Sequence, residues 1–190
     1  DDAKVPGNAV VGSMGRVQSM IDSHVRGLDL AVETEADPEL KTQLAAAAVE
    51  ARRLLDWVEN STRSYAVATS LKERRDVVDS VNQILKAFFD GTVTDQLPEE
   101  GAMARARAAT LVHVRHPIDS AGSFSAFMPQ VDYRLTEANA DQVLEIGHSS
   151  ITSLGADFDG DKISNAARFV MNEASFKAAR QGFGQGAFAH

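Results

Sequence analysis

The chain has no cysteine. Disulfides and thiolate metal sites are therefore excluded, which accords with a reducing compartment. It has no apolar run near the roughly 18 residues that a membrane helix needs. It opens Asp-Asp-Ala-Lys, without a Met or a charged segment leading into an apolar one. That start reads as a processed or trimmed end and not as a signal peptide. Its one tryptophan, Trp57, reads as a core or interface anchor, since nothing near it forms a base-stacking platform. Positive charge is also short. The net charge is -8, which argues against a free-standing nucleic-acid binder. A subunit could still borrow basic surface from an assembly, and a bound divalent ion would offset part of the deficit. A length of 190 residues suits one sizeable domain or two small ones.

What is present begins with helices. Residues 1–12 carry little pattern and are expected to be irregular. From Ser13 to about Val32, the residues Val17, Met20, Ile21, His24 and Leu28 recur at helical spacing. Asp37 can cap a second helix, with Pro38 in its first turn. Leu40, Leu44, Ala47, Ala51, Leu54, Leu55 and Val58 then form one stripe, with an end expected near Asn60. Its alanines let a neighbouring helix come close. After a Ser/Thr-rich break, Val77, Val78, Val81, Ile84, Leu85 and Phe88 form a third stripe, and Gly91 suits a C-cap. A boundary is expected between Gly91 and Gly101, then a short helix over Ala102 to Ala108.

From there the pattern turns to strands. Thr110 to Val114 is β-prone and stops before Pro117. Phe124 to Val131 and Val143 to Ile146 are strand-like, Tyr133 to Gln142 is a polar loop, and Ile151 to Leu154 is again apolar. Ser164 can cap a last helix over Asn165 to Arg180, before a glycine-bearing tail. Helices precede strands, so the expected class is α+β. The expected divisions are a helical region over 1–100, a β region over 109–164, and a helix with tail over 165–190.

Between the last strand and that last helix stands Ala156-Asp157-Phe158-Asp159-Gly160-Asp161. Carboxylates at i, i+2 and i+4 repel one another unless a cation sits among them. A turn at Gly160 lets them converge, and an all-oxygen set suits Mg²⁺ or Ca²⁺. An EF-hand loop counted from Asp157 would need Gly sixth and Glu twelfth; those places hold Lys162 and Arg168. A bare acidic turn is the other alternative. His113, His116 and His148 lack ligand spacing and read as ordinary polar residues.

The acidic loop resembles the N-A-D-F-D-G-D signature of the largest, β′-like catalytic subunit of multisubunit DNA-dependent RNA polymerases. Arg115-His116-Pro117 and Ala126-Phe127-Met128-Pro129 stand upstream in the order of that family's R-x-P and A-F-x-P segments. The resemblance covers about residues 109–180. It implies a double-psi β-barrel carrying the metal loop. It also implies nucleotidyl transfer from NTPs, with catalytic Mg²⁺ held by Asp157, Asp159 and Asp161 and with Arg115 near the nucleotide sugar or the RNA end. The implied partners are the other polymerase subunits, including one with a second barrel, together with DNA template, RNA product and NTPs. Gly155 replaces the family's Asn and Lys162 a common Gln, and the loop after Pro129 is longer. The chain is too short for a complete enzyme, so it is expected to be a fragment or one piece of a split polymerase of the bacteriophage kind. That places it in the host cytoplasm or the virion. The competing expectation is a helical structural or virion protein whose acidic loop binds Ca²⁺ or nothing.

Overall fold

Each of the three long helices starts at a side chain that answers its free backbone N–H groups. The computed structural model describes residues 9–109, 111–115, 124–135, 145–146 and 163–166, with side chains for 9–109 and 128–135. Helix α1 spans Met14–Thr34, and the Ser13 hydroxyl accepts from the Arg16 N–H. Helix α2 spans Pro38–Val67, with the Asp37 carboxylate accepting from the N–H groups of Glu39 and Leu40. Helix α3 spans Leu71–Asp90. Ser70 and Glu73 form a reciprocal capping box at its start, and Gly91 closes it in the left-handed conformation, φ 73°. A short helix, α4, covers Ala102–Ala108.

The apolar stripes of these helices meet in one core. Val17, Ile21 and Leu28 of α1 pack with Ala47, Ala51 and Val58 of α2 and with Val81, Leu85 and Phe88 of α3. The buried alanines of α2 give α1 its close seat. Met128 and Val131 join the same core from the sheet, so the helices lie against strands as well as against each other.

That sheet corrects the expected architecture. Strand β1 is Ala9–Gly12, in a stretch expected to be irregular; β2 is Leu111–Arg115, β3 Phe124–Val131, β4 Glu145–Ile146 and β5 Ile163–Ala166. Their order is β4-β1-β3-β2-β5. β1 runs parallel to β3 and antiparallel to β4, while β2 is antiparallel to both β3 and β5. An α+β chain in which helices lead into a double-psi β-barrel is therefore not what forms. Helix dominates the described residues, and the strands make an open row with edges at β4 and β5. The physical reason is β1. It enters from before the first helix and takes the place beside β3, a strand that sequence order could not assign to it.

β3 changes partner midway. Phe124 to Phe127 pair with β2, whereas Met128 to Val131 pair with β1. Pro129, which has no N–H to give to a ladder, sits just past that exchange and is fully buried. Asn82 of α3 fastens the end of the strand. Its side-chain amide donates to the Val131 carbonyl at 2.9 Å and accepts from the Val131 N–H at 2.8 Å.

Two further sequence expectations change. Helix α2 continues past Asn60 to Val67. Ser164, Asn165 and Ala166 lie in strand β5 and do not cap and open a helix. Among the described residues, no helix is long and apolar enough to cross a membrane.

Candidate functional site

The strands that carry or adjoin the three sequence segments of the polymerase resemblance are neighbours in the sheet, with Arg115 and the Ala126-to-Pro129 segment toward opposite ends of their ladder. β2 ends at Arg115, and Arg115 is in register with Ile163, the first residue of β5. Ile163 is two residues beyond Asp161 in the sequence. On the other pairing of β2, Leu111 faces Phe127 and Val112 faces Ala126. The Ala126-to-Pro129 segment, the strand ending in Arg115 and the strand that leaves the acidic loop are therefore consecutive neighbours: β3, β2, β5.

Asp157, Asp159 and Asp161 themselves lie outside the described residues, as do Phe158, Gly160, His116, Pro117 and His148. His113 is in β2, in register with Asn165. Among the described residues, no group of three or more His, Asp or Glu is placed to hold a metal ion. The donor chemistry of the aspartate triad still fits Mg²⁺, which takes carboxylate oxygens and keeps part of its water shell.

Away from the sheet, the helices hold polar features that the sequence stripes did not single out. Glu50 and Arg105 are both buried and stand 3.9 Å apart across α2 and α4. Arg105 also donates to the carbonyls of Glu100, at 3.2 Å, and Pro98. Position 50 falls between Ala47 and Leu54 on the buried face of α2, so a carboxylate there was a readable sign of a buried partner. Beside this pair is a cavity of about 300 Å³ lined by Leu54, Trp57, Ile84, Phe88 and Leu97. Trp57 packs on the core, as the sequence expects of it. Its indole N–H is buried without a hydrogen-bond partner.

His24 is the other buried titratable group among the described residues. Its Nε2–H donates to the Ala108 carbonyl at 2.5 Å, tying α1 to α4. Loss of solvation lowers its pKa to about 4, against which the carbonyl bond acts only in part. A neutral imidazole with its Nδ1 sealed in the core is a structural link and offers nothing to a ligand.

At the turn from α2 to α3, two arginines lie on two tyrosines. The Arg74 guanidinium is 5.7 Å from the centre of the Tyr65 ring. That of Arg75 is 4.7 Å from the centre of the Tyr133 ring and donates to its hydroxyl at 2.8 Å. Tyr65 in turn donates to the Tyr133 carbonyl at 3.4 Å. No single segment signals this cluster, because Tyr133 reaches it from the far end of β3.

No family model, curated protein or solved structure matches the chain.

Proposed function

We propose that this chain supplies the metal-binding part of a DNA-dependent RNA polymerase active centre, acting with other subunits in nucleotidyl transfer. The observation that supports it is the register of Arg115 with Ile163. It sets the end of the Arg-x-Pro strand beside the strand that follows the Asp157-to-Asp161 loop, with the Ala126-to-Pro129 segment on the next strand along. The strand ending in Arg115 is thus paired with the strand that follows the acidic loop, and the strand carrying Ala126 and Phe127 is the next along. The reading rests on these motifs and their adjacency, and it does not call on a closed barrel.

In the proposed chemistry, a 3′-hydroxyl attacks an α-phosphate in line and pyrophosphate leaves. Such transfers draw on charge and positioning more than on covalent help from the protein. Asp157, Asp159 and Asp161 would hold Mg²⁺, which supplies Lewis-acid stabilisation of the attacking and leaving oxygens. Arg115, with a fixed charge and forked donors, would orient the nucleotide sugar or the RNA end.

The test is Asp159→Ala in the complex that the full chain forms. Primer extension is expected to disappear while assembly and the unfolding midpoint are retained. Full extension by that variant would overturn the reading. So would a triad that takes Ca²⁺ for stability while the complex has no extension activity to lose.

A further inference from the structure

We propose that the cavity between α2, α3 and the turn before α4 binds a small neutral ligand, apolar in body and carrying one hydrogen-bond acceptor. The site stands apart from the polymerase reading. Its walls are apolar and held in place. Leu54 of α2 and Ile84 and Phe88 of α3 line it, and all three belong to the buried core. Leu97 supplies the wall that comes from no helix. The Leu97 N–H donates to the Thr94 carbonyl at 3.0 Å and to the Thr94 hydroxyl at 3.1 Å, and the Leu97 carbonyl accepts from the Thr94 N–H at 3.0 Å. Arg105 holds the next carbonyl, that of Pro98. The loop side is therefore fixed before any ligand arrives, as in other pre-formed pockets.

A hollow of about 300 Å³ forfeits packing contacts that the core beside it makes. It is partly open, so a small molecule can enter without parting the helices. An apolar cavity of about 150 Å³ takes a benzene ring, so this one suits a molecule of about twelve heavy atoms. Trp57 specifies the acceptor. Its ring lines the cavity, while its indole N–H is buried without a partner among the described residues. A buried donor left unanswered is costly, and an oxygen on the ligand answers it. The rim argues for neutrality. Glu50 and Arg53 are the charged residues of the lining, and they are paired with each other at 3.5 Å. An ion would have to compete with that pair. A ketone, aldehyde or ether leaves it intact.

Trp57 is the one tryptophan of the chain, so a ¹⁵N-labelled sample gives a single indole peak. The experiment is titration of the full chain with 4-phenylbutan-2-one, camphor and 1-acetonaphthone, followed at that peak and by ligand-observed saturation transfer. At least one probe is expected to move the indole peak downfield and saturably, with a Kd of about 1 mM or tighter. Trp57→Phe keeps an apolar ring and loses the N–H. It is expected to bind that probe about fivefold to tenfold more weakly, with circular dichroism unchanged. Leu97→Trp, which fills the cavity from the loop side, is expected to abolish binding. 4-Phenylbutanoate and 4-phenylbutylammonium are expected to bind more weakly than the matching ketone. No saturable shift with any of the three probes overturns the proposal. So does binding of wild-type strength by folded Trp57→Phe or by Leu97→Trp, or tighter binding of either ion. Asp159→Ala is expected to bind the probes normally, so the cavity and the polymerase reading can each fail alone.

Discussion

The Asn82 side chain and the Val131 backbone exchange two hydrogen bonds, so a helix side chain behaves as a further pairing unit at the end of a strand. Val131 is also in register with Gly12 of β1, and the next N–H, of Asp132, donates to the Gly12 carbonyl at 3.0 Å. Asn82 therefore secures the strand whose core residues Met128 and Val131 sit under the helices. Asn82→Ala is expected to destabilise the fold by about 2 kcal/mol, since it leaves two partly buried backbone groups unanswered. Asn82→Asp should do at least as much harm, because a carboxylate would face the Val131 carbonyl. Urea unfolding midpoints at constant m-value check both.

Arg105 and Glu50 should not survive separation. Arg105→Ala leaves the buried Glu50 carboxylate with Arg53 alone, at 3.5 Å, and frees the carbonyls of Pro98 and Glu100. The expected loss is about 2 kcal/mol, the scale for unanswered buried carbonyls, since Arg53 still answers the carboxylate. Gly101 makes the same point from the backbone. It sits at φ 85°, and a Cβ there would lie 2.8 Å from Glu50 Oε1. Gly101→Ala is expected to lower the thermal midpoint by combining left-handed strain with displacement of that carboxylate, at about 1–3 kcal/mol. Calorimetry of the two single variants and the double tests whether their effects overlap.

Acid should unlock His24. Its folded pKa is lowered from 6.5 to about 4, so the folded state favours the neutral ring. The stability it protects is complete above pH 6.5 and drains as pH falls toward about 4. A shift of that size corresponds to about 3 kcal/mol across the window. His24→Gln, which cannot titrate, is expected to flatten the slope between those limits relative to wild type. Denaturant curves collected across that pH range decide it.

Arg115 yields a prediction at the proposed catalytic end. Arg115→Lys keeps the charge and loses the planar fork. Under the polymerase reading, extension by the assembled complex is expected to fall about tenfold to a hundredfold, with Mg²⁺ affinity unchanged. Parallel extension assays and Mg²⁺ titrations separate the two effects.

Local chemistry made the helices readable. Ser13, Asp37 and Gly91 mark ends that the structure keeps, and the stripes through Ile21, Leu44 and Leu85 do face the core. The far end of α2 was not readable. Asn60-Ser61-Thr62 has weak helix preference, yet Thr62 and Ser64 bond back to the carbonyls of Val58 and Asn60, and Tyr65 packs on the core. β1 was hidden for a different reason. All four of its residues are buried, so it shows no alternation to betray a strand. Ser164 carried a genuine cap signature, but pairing with Val114 took precedence over local preference. Of the candidate site, the sequence offered residue types and a family likeness. It could not disclose that Arg115 lies opposite Ile163, because strand partners distant along the chain leave no local mark.

The parallel ladder joining Ala9 to Met128 carries a consequence for biogenesis. As the ribosome makes the chain, the first strand emerges early and its neighbour on the sheet comes out only after α1 to α4. The helical cluster can gather first, but the opening segment must wait with its hydrogen-bonding groups bare, and closing so long a loop is slow. A nascent chain stalled before residue 124 should thus be a conspicuous substrate for chaperones, and release of the rest should end that dependence.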